Sequence, residues 1–320
     1  MTSLQFSSDA LDRSRAWLAA HGRPLERVRL AQVLGTATPG QVAEAVSAYA
    51  NSDGGVGNAL ESDCRAPESS ALGALTALDI LRAHRVPGDH PLVGQVCRWL
   101  VESVESDRQG RLVWPFLPPS AQASPHAPWW DQSEPGQLAE TFAGYAANPG
   151  VALTAHLWRR EVAAPGSVPA EMLAQLTQQV RDVAADGVSA EEVNAHDALA
   201  HFAGEAATPA DAREAVTAYL RRVLPERVMA TEADYATYGI HPLWIAPTPA
   251  HPLAAALADT LPMALDRTIA SQQPDGSWAT FWDWGGWHPD VWPQAEQEWR
   301  GSLIVRNIAA LLAHGRVVRP

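Results

Sequence analysis

Two turns of one kind, Asp53-Gly54-Gly55 and Asp275-Gly276-Ser277, each close an apolar helical run and lead toward another. The flanks keep the same order. Tyr49-Ala50-Asn51-Ser52 precedes the first turn and residues 71–81 follow it, while Ser271-Gln272-Gln273-Pro274 precedes the second and residues 299–312 follow. A fainter copy, Asp107-Arg108-Gln109-Gly110, lies between them, and the intervals fit a period of roughly 55 residues with intermediate copies eroded. A repeat of this length is a supersecondary unit that cannot bury its apolar face alone, so its copies must stack on one another.

The periodicity inside the units is helical. Ser8 and Asp9 cap a helix to about residue 20, Thr38-Pro39 opens one to residue 51, and Ser69 or Ser70 opens one to residue 85. That third helix carries Leu72, Leu75, Leu78, Ile80 and Leu81 on a broad apolar face. Pro91 begins another, and helical patterns recur over 137–147, 151–162, 169–185, 189–204, 209–224, 261–273 and 296–314. Pro-Gly, Asp-Gly and Thr-Pro breaks separate them, and no run alternates as a strand does. Three stretches are irregular and aromatic: residues 111–135, with Trp114, Phe116, Trp129 and Trp130; residues 235–252, with Tyr235, Tyr238, His241 and Trp244; and the tryptophan loop 278–292. Long loops with this much aromatic surface are functional rather than disordered.

About a dozen helices at this period predict an all-α chain, a single domain over residues 1–320 forming an (α/α)6 toroid of about six helical hairpins. In-phase repeats would bring the Asp-Gly turns, Asp63, the Trp129-Trp130 loop and the 278–292 loop to one rim. Hydrophobic residues at 47% supply a core, and a net charge of −13 with every basic residue an arginine speaks against nucleic acid or an anionic membrane as partner. The two cysteines, Cys64 and Cys97, are too few for a disulfide framework. No apolar run approaches the roughly 18 residues of a membrane span, so no integral membrane segment and a cytoplasmic location are expected.

Gln273-Pro274-Asp275-Gly276-Ser277-Trp278 resembles the glutamine-tryptophan repeat of squalene-hopene and oxidosqualene cyclases, whose toroid is shared with protein prenyltransferase β subunits. Asp53-Gly54-Gly55-Val56-Gly57 is similar to the aspartate-glycine-glycine form of that repeat, and together the matches cover about a third of the chain. Glu61-Ser62-Asp63-Cys64-Arg65-Ala66 looks like the acidic segment from which these cyclases protonate an alkene. The resemblance puts Asp63 in the place of the acid and Glu61 in that of the first aspartate, while Arg65 departs from the family's threonine. It implies acid-initiated cyclisation or rearrangement of a small apolar or isoprenoid substrate. The cyclases close their cavity with a second helical domain; a lone toroid leaves an open rim for a partner or a second copy to cover.

Read on its residues, Asp63 needs a proton at neutral pH, which Glu61 and an apolar surround would supply by raising its pKa. The alternative is that Asp63 or Ser69 merely caps the next helix. Trp129, Trp130, Tyr238, Trp282, Trp284 and Trp287 are candidate substrate-binding residues, since aromatic faces stabilise cations or stack on sugars; Trp278 is more simply a packing residue of the repeat. Two other functions fit the composition. One is a carbohydrate-active α/α barrel of glycosidase or epimerase type, drawing on Glu61, Asp63, Asp131, Asp283 and Glu298; the other is a non-catalytic binding module for a small molecule or peptide. Prenyltransferase-type zinc would need an Asp and a Cys two apart, whereas Asp63 and Cys64 are adjacent, and His196 and His201 are five apart. No metal and no cofactor are therefore expected.

Overall fold

A computed structural model of the chain describes residues 3–318. Thirteen α-helices hold more than half of it: α1 Ser8–His21, α2 Pro24–Val33, α3 Pro39–Ser47, α4 Ala71–Ala83, α5 Pro91–Ser103, α6 Gln137–Thr141, α7 Gly150–Ala163, α8 Ala170–Asp186, α9 Val193–Gly204, α10 Ala210–Arg227, α11 Pro242–Ile245, α12 Leu261–Ala270 and α13 Trp292–Ala313. Their starts follow local chemistry. Ser7 Oγ accepts from Ala10 N, Thr38 and Gln41 form a capping box, and Ser70 Oγ accepts from Gly73 N at 3.0 Å. Prolines, which need no donor there, sit in the first turns of α2, α3 and α5.

The expectation of no strand is corrected by one short antiparallel pair, β1 Glu105–Ser106 and β2 Leu112–Val113. The Asp107 turn makes it: Asp107 Oδ1 accepts from Gln109 N and Arg111 N, each at 2.9 Å, and folds the chain back at once. The helix expected over 137–147 is also shorter. It stops at Thr141, and turns carry the chain to α7.

Helix packing proceeds around the molecule in chain order. α1 packs on α2, α2 on α3, α3 on α4, α4 on α5 and α7, α7 on α8 and α9, α9 on α10 and α11, and α11 on α12; α13 then returns to α1 and α2. The ends meet in a parallel bridge between Phe6 and Val317, with Phe6 N donating to Arg316 O at 2.7 Å and Val318 N to Phe6 O at 3.0 Å. The Asp275 turn fastens this closure. Phe6 stacks on Trp278, Trp278 Nε1 donates to Thr268 O, and Ser14 Oγ of α1 donates to Gly276 O at 2.6 Å. Gly276 has φ +93° and lies against the Arg13 backbone, so glycine is required there on two counts. Among the described residues, no helix is long and apolar enough to cross a membrane.

Candidate functional site

The loop from Glu61 to Ala66 is held between α4 and the proline-rich segment. Cys64 bridges His126, Arg65 N donates to Pro125 O, and Ala127 N donates to Asp63 O at 2.8 Å. The approach to it is strained: Asn58 and Ala59 both have positive φ, and Arg23 Nη1 donates to the carbonyls of Ala59 and Leu60. These constraints fix where the carboxyl of Asp63 points.

That carboxyl is only 4% exposed and lies in a box of indoles. Its Oδ1 accepts from both Trp284 Nε1 and Trp299 Nε1, each at 2.8 Å, and Trp282 meets Trp299 edge to face with centroids 5.2 Å apart. Burial pushes Asp63 up to about 6, against the pull of the two indole hydrogen bonds. Glu61 is raised well above the usual carboxylate range, by burial first and then by the charge of Asp63, and its Oε2 accepts from Asp63 N. Arg23 and Arg65 pull Glu61 the other way without outweighing its burial, and Arg65 is also engaged elsewhere. It forms a two-pronged pair with Glu298 at 2.6 and 3.1 Å, and Glu298 also takes Arg23 at 3.3 Å. Asp63 caps no helix: Ser70 caps α4, and the hydroxyl of Ser69 donates to Asp53.

The other expected binding residues divide. Trp284 is buried at 1% and belongs to Asp63; Trp282 is partly buried beside Phe281 and Trp299. Tyr238, 48% exposed, donates its hydroxyl to Asn194. Trp287 is 40% exposed beside His126 and His288. Trp130 is buried against Phe116 and Phe142, where it fixes the proline-rich loop, and Trp129 packs on the same cluster. Of the carboxylates weighed for a sugar-cleaving site, Asp131 is held by Ser133 and Gln122, Glu298 by its arginines, and Asp283 is exposed.

A second group is absent from the sequence reading except for His201. Asp79 of α4 lies 2.9 Å from His156 Nε2 of α7 and 3.0 Å from His201 Nδ1 of α9. Beside it stand Asp197 of α9 and Arg306 of α13, whose guanidinium lies 3.9 Å from the Trp244 ring centroid. Asp79 keeps 47% of its side-chain surface open, and Arg306 is exposed. Burial would raise Asp79, but the charge and hydrogen bonds of His201 and His156 outweigh it and hold the carboxyl well below its usual range. Burial lowers His156, and lowers His201 to about 3 with help from His156 and Arg82, so both rings are neutral at pH 7. Asp197, raised by burial to about 6, keeps a buried Oδ1 without a partner. His196 points away; its ring nitrogens meet Glu192 O and Arg227.

Compared with known proteins, the chain matches no family model, and no curated protein is similar to it.

Proposed function

We propose that the chain is an enzyme built as an α/α toroid, in which Asp63 is the general acid for a small molecule held in the central concavity. The order of helix packing and the return of α13 to α1 and α2 support the ring. The observation that carries the activity is the indole box. Two N–H groups on one oxygen of Asp63 leave the proton to the other, Oδ2, which has no hydrogen-bond partner among the described residues. Once the proton has left, the same two donors stabilise the carboxylate, so the acid is aimed before the step and supported after it.

The aromatic groups around it suit a substrate that becomes cationic. The rings of Trp299, Trp282, Phe281 and Trp244 follow one another from Asp63 toward Arg306, and each cation–π contact is worth about 0.5–2 kcal/mol. Farther in, Arg306, Asp197, Asn194 and the histidines form a polar floor. The substrate class that fits both is an isoprenoid-like alkene with a polar head group: the alkene at Asp63, the head at the floor. The polar floor specifically favours a second reading, an epimerase or glycosidase acting on a sugar.

Turnover in deuterium oxide separates them. With Asp63 as acid, polyprenyl alcohols and diphosphates give a product carrying one deuterium on carbon. Asp63→Asn retains the fold, because its amide oxygen still accepts both indoles, and loses turnover by about 10²- to 10⁴-fold. An Asp63→Asn protein that turns over as the parent does removes Asp63 from the chemistry; conversion of sugars alone, with no carbon-bound deuterium from an alkene, selects the second reading.

A further inference from the structure

The inner faces of α4, α7 and α9 each contribute one donor to a single point. Asp79 Oδ1, His156 Nε2 and His201 Nδ1 all lie within 4.8 Å of one another, and the two imidazole rings stand 4.4 Å apart at 73°. The geometry points to a divalent transition-metal site formed by Asp79, His156 and His201, with an open coordination position toward the concavity.

The chemistry of the donor set agrees. One carboxylate and two imidazoles are the ligands that zinc and ferrous ions take where a position is left free for water or substrate. Metal bonds of about 2.1 Å place neighbouring ligands ~3.0 Å apart in an octahedron and ~3.4 Å apart in a tetrahedron. The observed 2.9 and 3.0 Å from Asp79 to the two ring nitrogens match octahedral edges, and all three donor atoms lie within 4.8 Å of one another. A hydrogen-bonded triad has the same distances, and in either arrangement His156 Nδ1 and His201 Nε2 are buried without a partner among the described residues.

Carboxylates stand beside two of the arginines near the cluster. Arg82, Arg159 and Arg306 all bear on the cluster, and they are answered by Glu205, which pairs with Arg82 at 3.3 Å, and by Asp197 beside Arg306. Asp79, open on one side, leaves an approach from the concavity. A bound cation there would sit at the polar floor, opposite Asp63, where a phosphate or a hydroxyl of a substrate head group could complete its coordination.

Cobalt(II) tests the site without any substrate. The full chain, stripped with chelator and titrated with Co²⁺ alone, is expected to bind one equivalent with visible d–d absorption, and Zn²⁺ should displace it. Asp79→Asn, nearly isosteric, and His156→Gln should each weaken binding by at least about 100-fold. His21→Ala, on the surface, should leave it unchanged, and circular dichroism should show each variant folded. Absence of the absorption in the parent protein overturns the site. So does binding of equal strength in folded Asp79→Asn and His156→Gln, which would assign the cobalt to surface histidines. Neither outcome bears on Asp63, whose test reads deuterium on carbon.

Discussion

Two indole donors on one oxygen of Asp63 set its acidity as well as its aim. Trp284→Phe removes one of them, and because a hydrogen bond to the carboxylate lowers its pKa, the carboxyl should rise above its present value of about 6. The expected result is a pH–rate profile whose alkaline limb moves to higher pH, since the acid keeps its proton longer, with stability lowered by about 1 kcal/mol. A profile that stays in place would separate the indole from the acid. Asp63 was legible because a glycine-rich turn delivers it and because Glu61 stands two residues away. The tryptophan at 284 was legible as a binding residue, but not as the acid's partner, since pairing across more than two hundred residues leaves no trace in local sequence. Asp79, His156 and Asp197 went unread for the same reason, and His201 was read only by its spacing from His196. The signal present is weak: polar residues set within largely apolar stretches of α4, α7 and α9. On α9, Asn194, Asp197 and His201 repeat at three and four residues, a polar stripe where the mean composition reads as core.

Helix starts were easier to read than helix ends. Ser70 and Thr38-Pro39 fix theirs by side-chain caps, whereas α3 stops at Ser47 rather than 51 because its last residues are drawn into the Asp53 turn, where Tyr49 O accepts from Gly57 N. The start of α4 depends on an absent side chain. A Cβ at Gly73 would fall inside the contact distance of the Val56 carbonyl oxygen, the same oxygen that accepts from Ser70 N. Helix propensity alone favours alanine there by about 1 kcal/mol. Gly73→Ala should nevertheless destabilise by about 1–3 kcal/mol, because α4 would be pushed away from the Asp53 turn; urea denaturation reads the sign. The repeat also misled in one place. Asp107 closes a hairpin instead of joining two helices, since its carboxylate takes the amides of Gln109 and Arg111 and turns the chain within four residues.

At the scale of the molecule, the inward-facing polar groups should lower stability in a way that pH reveals. Asp197 is raised in the folded chain to about 6, from about 3.9 when unfolded. The folded state therefore holds that proton more tightly: below pH 4 the group costs nothing, between pH 4 and 6 stability falls, and above 6 the deficit is constant, at most about 3 kcal/mol. Asp197→Asn should stabilise the protein at pH 8 and leave it unchanged at pH 4, measured by urea denaturation at both. Equal stability at pH 8 would mean that the carboxyl ionises there at no cost. The bridge between Phe6 and Val317 has a separate implication for connectivity. Because the two ends meet by contact rather than by a covalent bond, the position of the chain break is arbitrary to the packing. A short glycine-serine joint across Phe6 and Val317, with new termini opened at the exposed Gly166 turn between α7 and α8, should give a circular permutant with the parent's helical spectrum.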